Sequence, residues 1–396
     1  MSGLRLFFVA WLLPSWLLAC ASAAERPPGS VHCRAPAGVR LPPVVDARNF
    51  GAIGNGTNDD AGAIVAAVAS LGDGGGTVLF PPGTYRHSDI LVLKSPNVTL
   101  AGTGATLLAG NSDRAAIVLE GSNTTILDFT IASEAPGERG DQPEQSGIVV
   151  SGNDNAVLGS VVRGFRSAGI LVRGARNYVI ACNHVRDTKS DGIHSTDGAS
   201  NGRVAHNSVV NSGDDGIAVV SYHRTQQASA IVIEDNTVEN IRWGRGISVI
   251  GSTDVVIRGN RITSIAMAAG IIVAREASYN TPGARNVVIE SNTIVDIQRT
   301  LAPLGGRPRT GHGGIELNSD SDDPALGVSD VTVVGNTISD SGYDGIRLRG
   351  NVSRVAILAN RLSNIGGRAI AVAKSRRAEV LRCDDNTVKQ DVALCK

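Results

Sequence analysis

Aromatic side chains are scarce in this chain: Phe, Tyr and Trp together make up 4% of its 396 residues. Set beside 47 glycines, that scarcity suits many tight turns joined by short β-branched strands. An excess of charge is also missing, with 37 Lys+Arg against 37 Asp+Glu. With no basic tract, nucleic acid is excluded as a partner, and with no charge block, so is a solvated tail. There is no CxxC pair, so neither a zinc site nor a redox motif is suggested. The longest apolar run, Leu6 to Leu18, is short of the roughly 20 residues that a membrane span needs, so stable membrane insertion is not expected.

That run has the layout of an export signal. Arg5 precedes it and the small residues of "ACASAAE" follow, which puts cleavage after Ala23 or Ala24. The expectation is a signal peptide over 1–24, a linker over 25–43 and a secreted or periplasmic protein. Cys20 in "LLAC" offers lipoprotein attachment as the alternative. Once Cys20 has left with the signal, Cys33, Cys182, Cys383 and Cys395 remain. Cys383 and Cys395, close in sequence, are expected to form a disulfide, with Cys182 a buried thiol inside a repeat and Cys33 unassigned.

What the chain has in quantity is repetition. Gly-Ile recurs with Gly at 147, 169, 192, 216, 246, 270, 314 and 345, and Ala369-Ile370 forms a degenerate ninth copy. A second motif, Asn-x-(Val/Ile/Leu), keeps time with it from Asn183, Asn207, Asn236, Asn260, Asn292, Asn336, Asn360 and Asn386. Short alternating stretches such as "DVVIRGN" and "DVTVVGN" lie just upstream. A period near 23 with three short strands per turn is the signature of a solenoid. A leucine-rich repeat is excluded because the Leu lattice is absent. Each Asn is expected in a tight left-handed bend, and stacked coils would align these residues into a ladder. The long steps after Gly216, Gly270 and Gly314 require inserted loops, which solenoids tend to gather on one face. Upstream, "NDDAGAIVAAVASLG" reads as a helix over Asp60 to Leu71, with Asp59 or Asp60 as N-cap and Gly72 as its stop, placed to cover an open end of the solenoid.

"FGAIGNGTNDDAGAI" followed by "GGTVLFPPGTY" resembles the N-terminal signature of the pectate-lyase/rhamnogalacturonase superfamily. The resemblance implies an all-β, right-handed parallel β-helix of about ten coils with a short N-terminal capping helix. It covers one carbohydrate-active domain over 44–396.

Aligning the coils on Gly-Ile separates their two faces. Ile193, Ile217, Ile247, Ile271, Ile315 and Ile346 form an inner column, so the following residues point outward: His194, Ala218, Ser248, Ile272, Glu316 and Arg347. The residue before each Gly gives another column, in which Asp191, Asp215 and Arg245 lie on successive coils with Asp214 alongside. Strands about 4.8 Å apart would stack these carboxylates on the outer face, where each raises its neighbours' pKa. One acid can then hold a proton near neutrality while another stays ionised, as glycosidic cleavage requires. Asp before Gly is also ordinary turn chemistry, and Asp344 in "YDGIRL" is an instance of it.

"SDGI" followed by "SGDDGI" is similar to the polygalacturonase family of glycoside hydrolases. That likeness implies Asp214 as general acid, with Asp191 and Asp215 holding the attacking water. "WGRGIS", however, has Arg245 where the family has His, and "AGIIVAR" has Ile272 and Ala274 where it has Arg and Lys. "GIRLR", with Arg347 and Arg349, arrives two coils late.

Expected substrate-binding residues are His194, Arg245, Tyr222, His223, Glu316 and Arg347, with Arg224 and Trp243 completing a sugar wall and His312 in "GHGGIE" a further candidate. Hydrolysis of a polysaccharide, acidic by expectation, by a monomer without a cofactor is the first reading. The alternative is a uronate lyase or C5-epimerase, with Ca²⁺ held by Asp191, Asp214 and Asp215 and with Arg245 as base or carboxylate fork. "DGIHSTDG" also resembles the acidic, His-containing motif of alginate epimerases. A β-helix that binds polysaccharide without cleaving it is the third reading.

Overall fold

The computed structural model describes residues 43–135, 137–373 and 379–388. The leader, the linker, Cys20, Cys33 and Cys395 lie outside them. The chain coils into a parallel β-helix of three long sheets, with 13, 13 and 11 strands. In each sheet a strand pairs in parallel with the equivalent strand of the coil before and the coil after. There are more coils than the ten expected, because the first ones carry no Gly-Ile: their strands in the eleven-stranded sheet are Leu91–Leu93 and Ile117–Leu119. Right-handed winding is the hand that parallel crossovers take almost without exception.

The inner column is as read from the sequence. Ile193, Ile217, Ile247, Ile271, Ile315 and Ile346 stand in register on successive strands, all with no solvent exposure. They belong to one hydrophobic cluster that runs from Ala47 to Ile370. Burial of that apolar column is the main favourable term of the fold. Ser195, the polar exception in the inner rows, is satisfied by the Tyr178 hydroxyl, which donates to its Oγ at 2.8 Å.

The glycine of Gly-Ile is required by close approach. A Cβ on Gly192 would meet Val209 Cγ1 at 2.3 Å and the Gly216 carbonyl at 2.6 Å, and one on Gly216 would meet Val238 Cγ1 and the Gly246 carbonyl in the same way. Each coil turns so tightly onto the next that no side chain fits. Ala369 is tolerated because Ile370–Val372 is the terminal strand of its sheet.

The asparagine ladder forms. Asn207 Oδ1 accepts from both the main-chain N–H and the side-chain amide of Asn183, and the pattern continues through Asn236, Asn260, Asn292, Asn336 and Asn360 to Asn386. The left-handed bend, however, falls one residue earlier than expected. Cys182, His206, Asp235, Gly259, Ser291, Gly335, Ala359 and Asp385 carry the positive φ, and the Asn that follows turns its amide inward to bridge coils.

The helix spans Ala61–Ala69 and buries Ile64, Ala67 and Val68. Asp59 supplies the cap, its Oδ1 accepting from Ala61 N. Asp60 accepts instead from Ile53 N and Gly54 N, which ties the incoming loop to the helix. Cys182 is disulfide-bonded, which corrects the buried-thiol expectation. Cys383 is disulfide-bonded as well, while its expected partner Cys395 lies beyond the described residues.

Candidate active site

The eleven-stranded sheet carries the outward column on its exterior, and loops from both edges rise over it. Asp191, Asp214 and Asp215 sit where the chain enters the strands Ile193–Thr196 and Ile217–Val220. Each of the three offers a carboxylate oxygen within 4.8 Å of the others.

The acids are on the outer face but not at the surface. Side-chain exposure is 10% for Asp191, 5% for Asp215 and 21% for Asp214, so a substrate meets Asp214 first. The surface placement expected for the pair before Gly is corrected by their hydrogen bonds. Asp191 Oδ1 accepts from Asp215 N at 2.9 Å, and Asp215 Oδ1 from Arg245 N at 2.7 Å. Each therefore stitches its coil to the next, and the intervening loops close over it. Asp215 Oδ2 also pairs with Ser248 Oγ at 2.5 Å.

A cation accompanies each acid. His194 Nδ1 lies 2.8 Å from Asp191 Oδ2. Arg139, reaching in from the segment before Ile148–Val150, donates to Asp214 Oδ2 at 2.6 Å. Arg245 Nε lies 3.3 Å from Asp215 Oδ1, and its Nη2 donates to Glu276 Oε1 at 2.9 Å. Burial raises the Asp215 carboxyl to about 7; Arg245 pulls it down, while Asp214 and Asp191 push it up. Burial and the Asp191 charge raise Asp214 against the pull of Arg139. Burial also works against the Asp191 anion, but His194 and the Asp215 N–H hold it below the usual carboxylate range. His194 is raised in turn: burial opposes its charge, and Asp191, Asp215 and Asp214 favour it. The cluster thus holds Asp191 below the usual carboxylate range and both Asp214 and Asp215 above it, with Asp215 near 7.

Tyr222 comes to the cluster. Its hydroxyl is pushed up to about 12 by burial and by the Asp191, Tyr279, Asp197 and Glu276 charges. His223 does not: its ring is exposed, and its main-chain N–H binds the Asn280 carbonyl. Arg224 is exposed as well. The Trp243 ring is covered by Arg307, 3.9 Å above its centroid, so that face is not open to a sugar. Glu316 and Arg347 stand three and four strands beyond Ala218 and grip each other, with Arg347 Nε 3.0 and 2.8 Å from the two carboxylate oxygens. They form a closed pair rather than free substrate ligands. His312 is held neutral at about 4 by burial and the charges of Arg347, Arg245 and Arg349.

Arg245 cannot serve as a base. Burial opposes its charge, but Asp215 and Glu276 hold it firmly as a guanidinium. The three acids could each offer one oxygen to a metal ion, fewer than the six to eight oxygen ligands that Ca²⁺ takes. Four of their six carboxylate oxygens are already engaged by N–H groups, His194 or Ser248, a fifth binds Arg139, and His194, Arg139 and Arg245 balance the three charges.

Arg139, Ser248, Glu276 and Tyr279 were missed as site residues. Ser248 was legible as an outward position in register with Ala218 and His194. The other three sit on non-repeating loops and left no periodic signal.

Residues 115–282 match the family described as the right handed beta helix region. Among curated proteins, the chain is 24% identical to plasmin and fibronectin-binding protein A of Streptococcus pneumoniae over 83% of its length, spanning 58% of that protein. It is 26% identical over 63% of its length to mannuronan C5-epimerase AlgE3 of Azotobacter vinelandii, spanning 13% of it. Among solved structures, the catalytic unit of a GH87 α-1,3-glucanase from Streptomyces thermodiastaticus superposes with a TM-score of 0.62 at 21% identity, over 95% of this chain and 73% of that one. At such identity the superposition speaks for fold alone. The repeat, the three parallel sheets and these matches make this chain a right-handed parallel β-helix protein.

Proposed function

We propose that the chain is a carbohydrate-active enzyme that hydrolyses glycosidic bonds in a polysaccharide. The observation that carries this reading is the trio of carboxylates within 4.8 Å, Asp191 held below the usual carboxylate range and Asp214 and Asp215 raised above it. Asp214, the member a substrate can touch, delivers the proton to the leaving oxygen. Asp191 and Asp215, anchored by His194 and by Arg245 N–H and Ser248, hold and polarise the attacking water. The relative named as a mannuronan C5-epimerase supports a polysaccharide substrate.

A second reading, C5-epimerisation or β-elimination at a uronate, draws on the epimerase relatives and on His194 and Tyr222 flanking Asp191. Against it, Arg139 and Arg245 are engaged by the protein's own carboxylates and are not poised for a substrate carboxylate. The relative named as a plasmin and fibronectin-binding protein supports a third, non-catalytic reading. One assay separates them: purified protein with a panel of neutral and uronate polysaccharides, with and without chelator. New reducing ends without ultraviolet absorbance are expected. An unsaturated product indicates elimination, altered uronate composition without cleavage indicates epimerisation, and retention without any product indicates a binding protein.

A further inference from the structure

The outward column does not stop at His194. Following the strand register back toward the N-terminus, His194 pairs with Leu171, Leu171 with Val149, Val149 with Val118 and Val118 with Val92. Four successive coils therefore present an aliphatic side chain where the active-site coils present His, Ala and Ser. Ala116, Val149, Ala168 and Leu171 form a separate apolar cluster on this exterior, joined by Ile90 and Val118. A groove of about 400 Å³ lies over it, lined by Ile90, Val92, Val118, Pro143 and Val149. That volume is in the range of small-ligand sites, which combine apolar walls with a few polar groups.

The polar rim of the groove has a definite charge. Glu120, Glu144, Ser151, Arg173 and Asp197 line it. Arg173 is its one cation among the lining residues and is engaged, its Nε 2.8 Å from Asp197 Oδ2. The rim is therefore net acidic, with hydroxyl, carboxylate and carbonyl acceptors beside an aliphatic floor. Such a surface suits a chain of uncharged pyranoses, whose C–H faces lie on the valines while the hydroxyls donate to the rim. A uronate chain would meet like charge.

We infer that this groove is a subsite for about three consecutive uncharged sugar residues on the N-terminal side of the acid cluster. The length follows from the three successive strands whose outward residues line it, Val92, Val118 and Val149, about 4.8 Å apart, and Asp197 brings its far end to the coil that carries Asp191 and His194. The choice of a carbohydrate occupant rests on the reading under Proposed function. A preference for a neutral chain would differ from the acidic substrate expected from the sequence.

The test reads binding alone, so that it does not depend on turnover. Isothermal titration calorimetry of the full chain is carried out with α-1,3- and β-1,3-linked glucose tetrasaccharides, tetragalacturonate and tetramannuronate. At least one neutral tetrasaccharide is expected to bind, Val118→Asp to weaken it tenfold or more, and both uronates to bind more weakly. Because an aspartate could disturb folding, Glu144→Lys is run in parallel: its side chain lies on the rim, and it is expected to strengthen uronate binding and, by removing an acceptor, to weaken the neutral ligand. Tighter binding of a uronate, no binding of either neutral tetrasaccharide, or a neutral affinity unmoved by Val118→Asp in a folded variant overturns the inference. Binding as expected without any cleavage would remove hydrolysis and leave the groove standing.

Discussion

Asp215 and Asp344 occupy the same position in their coils, directly before a Gly-Ile pair. Both perform the same structural task. Asp215 Oδ1 accepts from Arg245 N at 2.7 Å, and Asp344 Oδ1 accepts from Arg368 N at 2.8 Å, so each ties its turn to the coil that follows. Their neighbours differ. Asp215 is buried against Ser248 and Arg245, with Asp191 one coil before it and Asp214 beside it. Asp344 is half-buried, and Gly313 stands in the same column one coil before it. The contrast teaches that an Asp-Gly turn is a stitch in the solenoid wherever it occurs. It becomes a chemical group only where adjacent coils bring further acids and a loop closes over them.

The sharpest way to break the comparison is Asp214→Asn. Loss of a general acid lowers rate by about 10²–10⁴-fold. The side chain of Asp214 bonds the half-exposed Arg139 rather than a main-chain N–H of the next coil, and an amide keeps an acceptor for it, so the thermal midpoint is expected to stay within a few degrees of wild type. Initial rates on the substrate found by the polysaccharide panel, together with a melting curve, check both halves. Retained activity would remove Asp214 from the chemistry.

Asp215→Asn is expected to lose turnover and also about 1–3 kcal/mol of stability. The buried Arg245 loses one of its two charge partners, keeping Glu276, and the amide must fit against Ser248. Chemical denaturation reads the loss. A stability equal to wild type would show the burial of Asp215 to be inconsequential.

Titration distinguishes the two aspartates further. Folded Asp215 titrates near 7, well above its value in an unfolded chain. Between those values the native state holds a proton that the unfolded state has lost, so stability from this group falls as pH rises toward 7. His194, raised above its usual value, adds in the same direction: its contribution is full below about 6.5 and is lost as pH rises through the folded value. Asp191, depressed, contributes at higher pH and loses its share only in acid. Melting curves from pH 4 to 9 are expected to decline between about 4 and 7 in wild type and to decline less over that window in Asp215→Asn, and kcat/KM is expected to fall as pH rises through 7. Identical profiles in the two proteins would contradict the raised proton affinity.

The smallest effect belongs to Asp344→Asn. Asparagine retains the acceptor for Arg368 N, so stability is expected to change by less than about 1 kcal/mol and turnover not at all. If Asp344→Asn matched Asp214→Asn in both assays, the distinction between stitch and catalyst would collapse.

Much of this architecture could be read from one sequence because a solenoid repeats its contacts. Every coil meets its neighbours in the same register, so the period of Gly-Ile and Asn-x-Val reports the stacking directly, down to the inner isoleucines and the outward His194. The reading failed where a residue's role came from its neighbour in sequence. The Asn motif was expected to carry the left-handed bend, whereas the preceding residue takes it and frees the Asn amide for the ladder. The count of coils also fell short, since the first strands of the eleven-stranded sheet lack the repeat.

The chain by itself determined the coil, its two faces and the adjacency of Asp191, Asp214 and Asp215, because those depend on nearest-neighbour stacking that a periodic sequence encodes. Only the tertiary structure decided what surrounds the acids. Arg139 lies 75 residues before Asp214, and Glu276 lies 31 residues after Arg245, both on loops with no repeat to fix their direction. Their arrival buries the trio, supplies its countercharges and sets where the proton resides. These are consequences of desolvation and short-range Coulomb interaction, which a linear pattern does not carry. The closing of Glu316 onto Arg347 was decided in the same way, and two outward residues expected to grip a substrate satisfied each other instead.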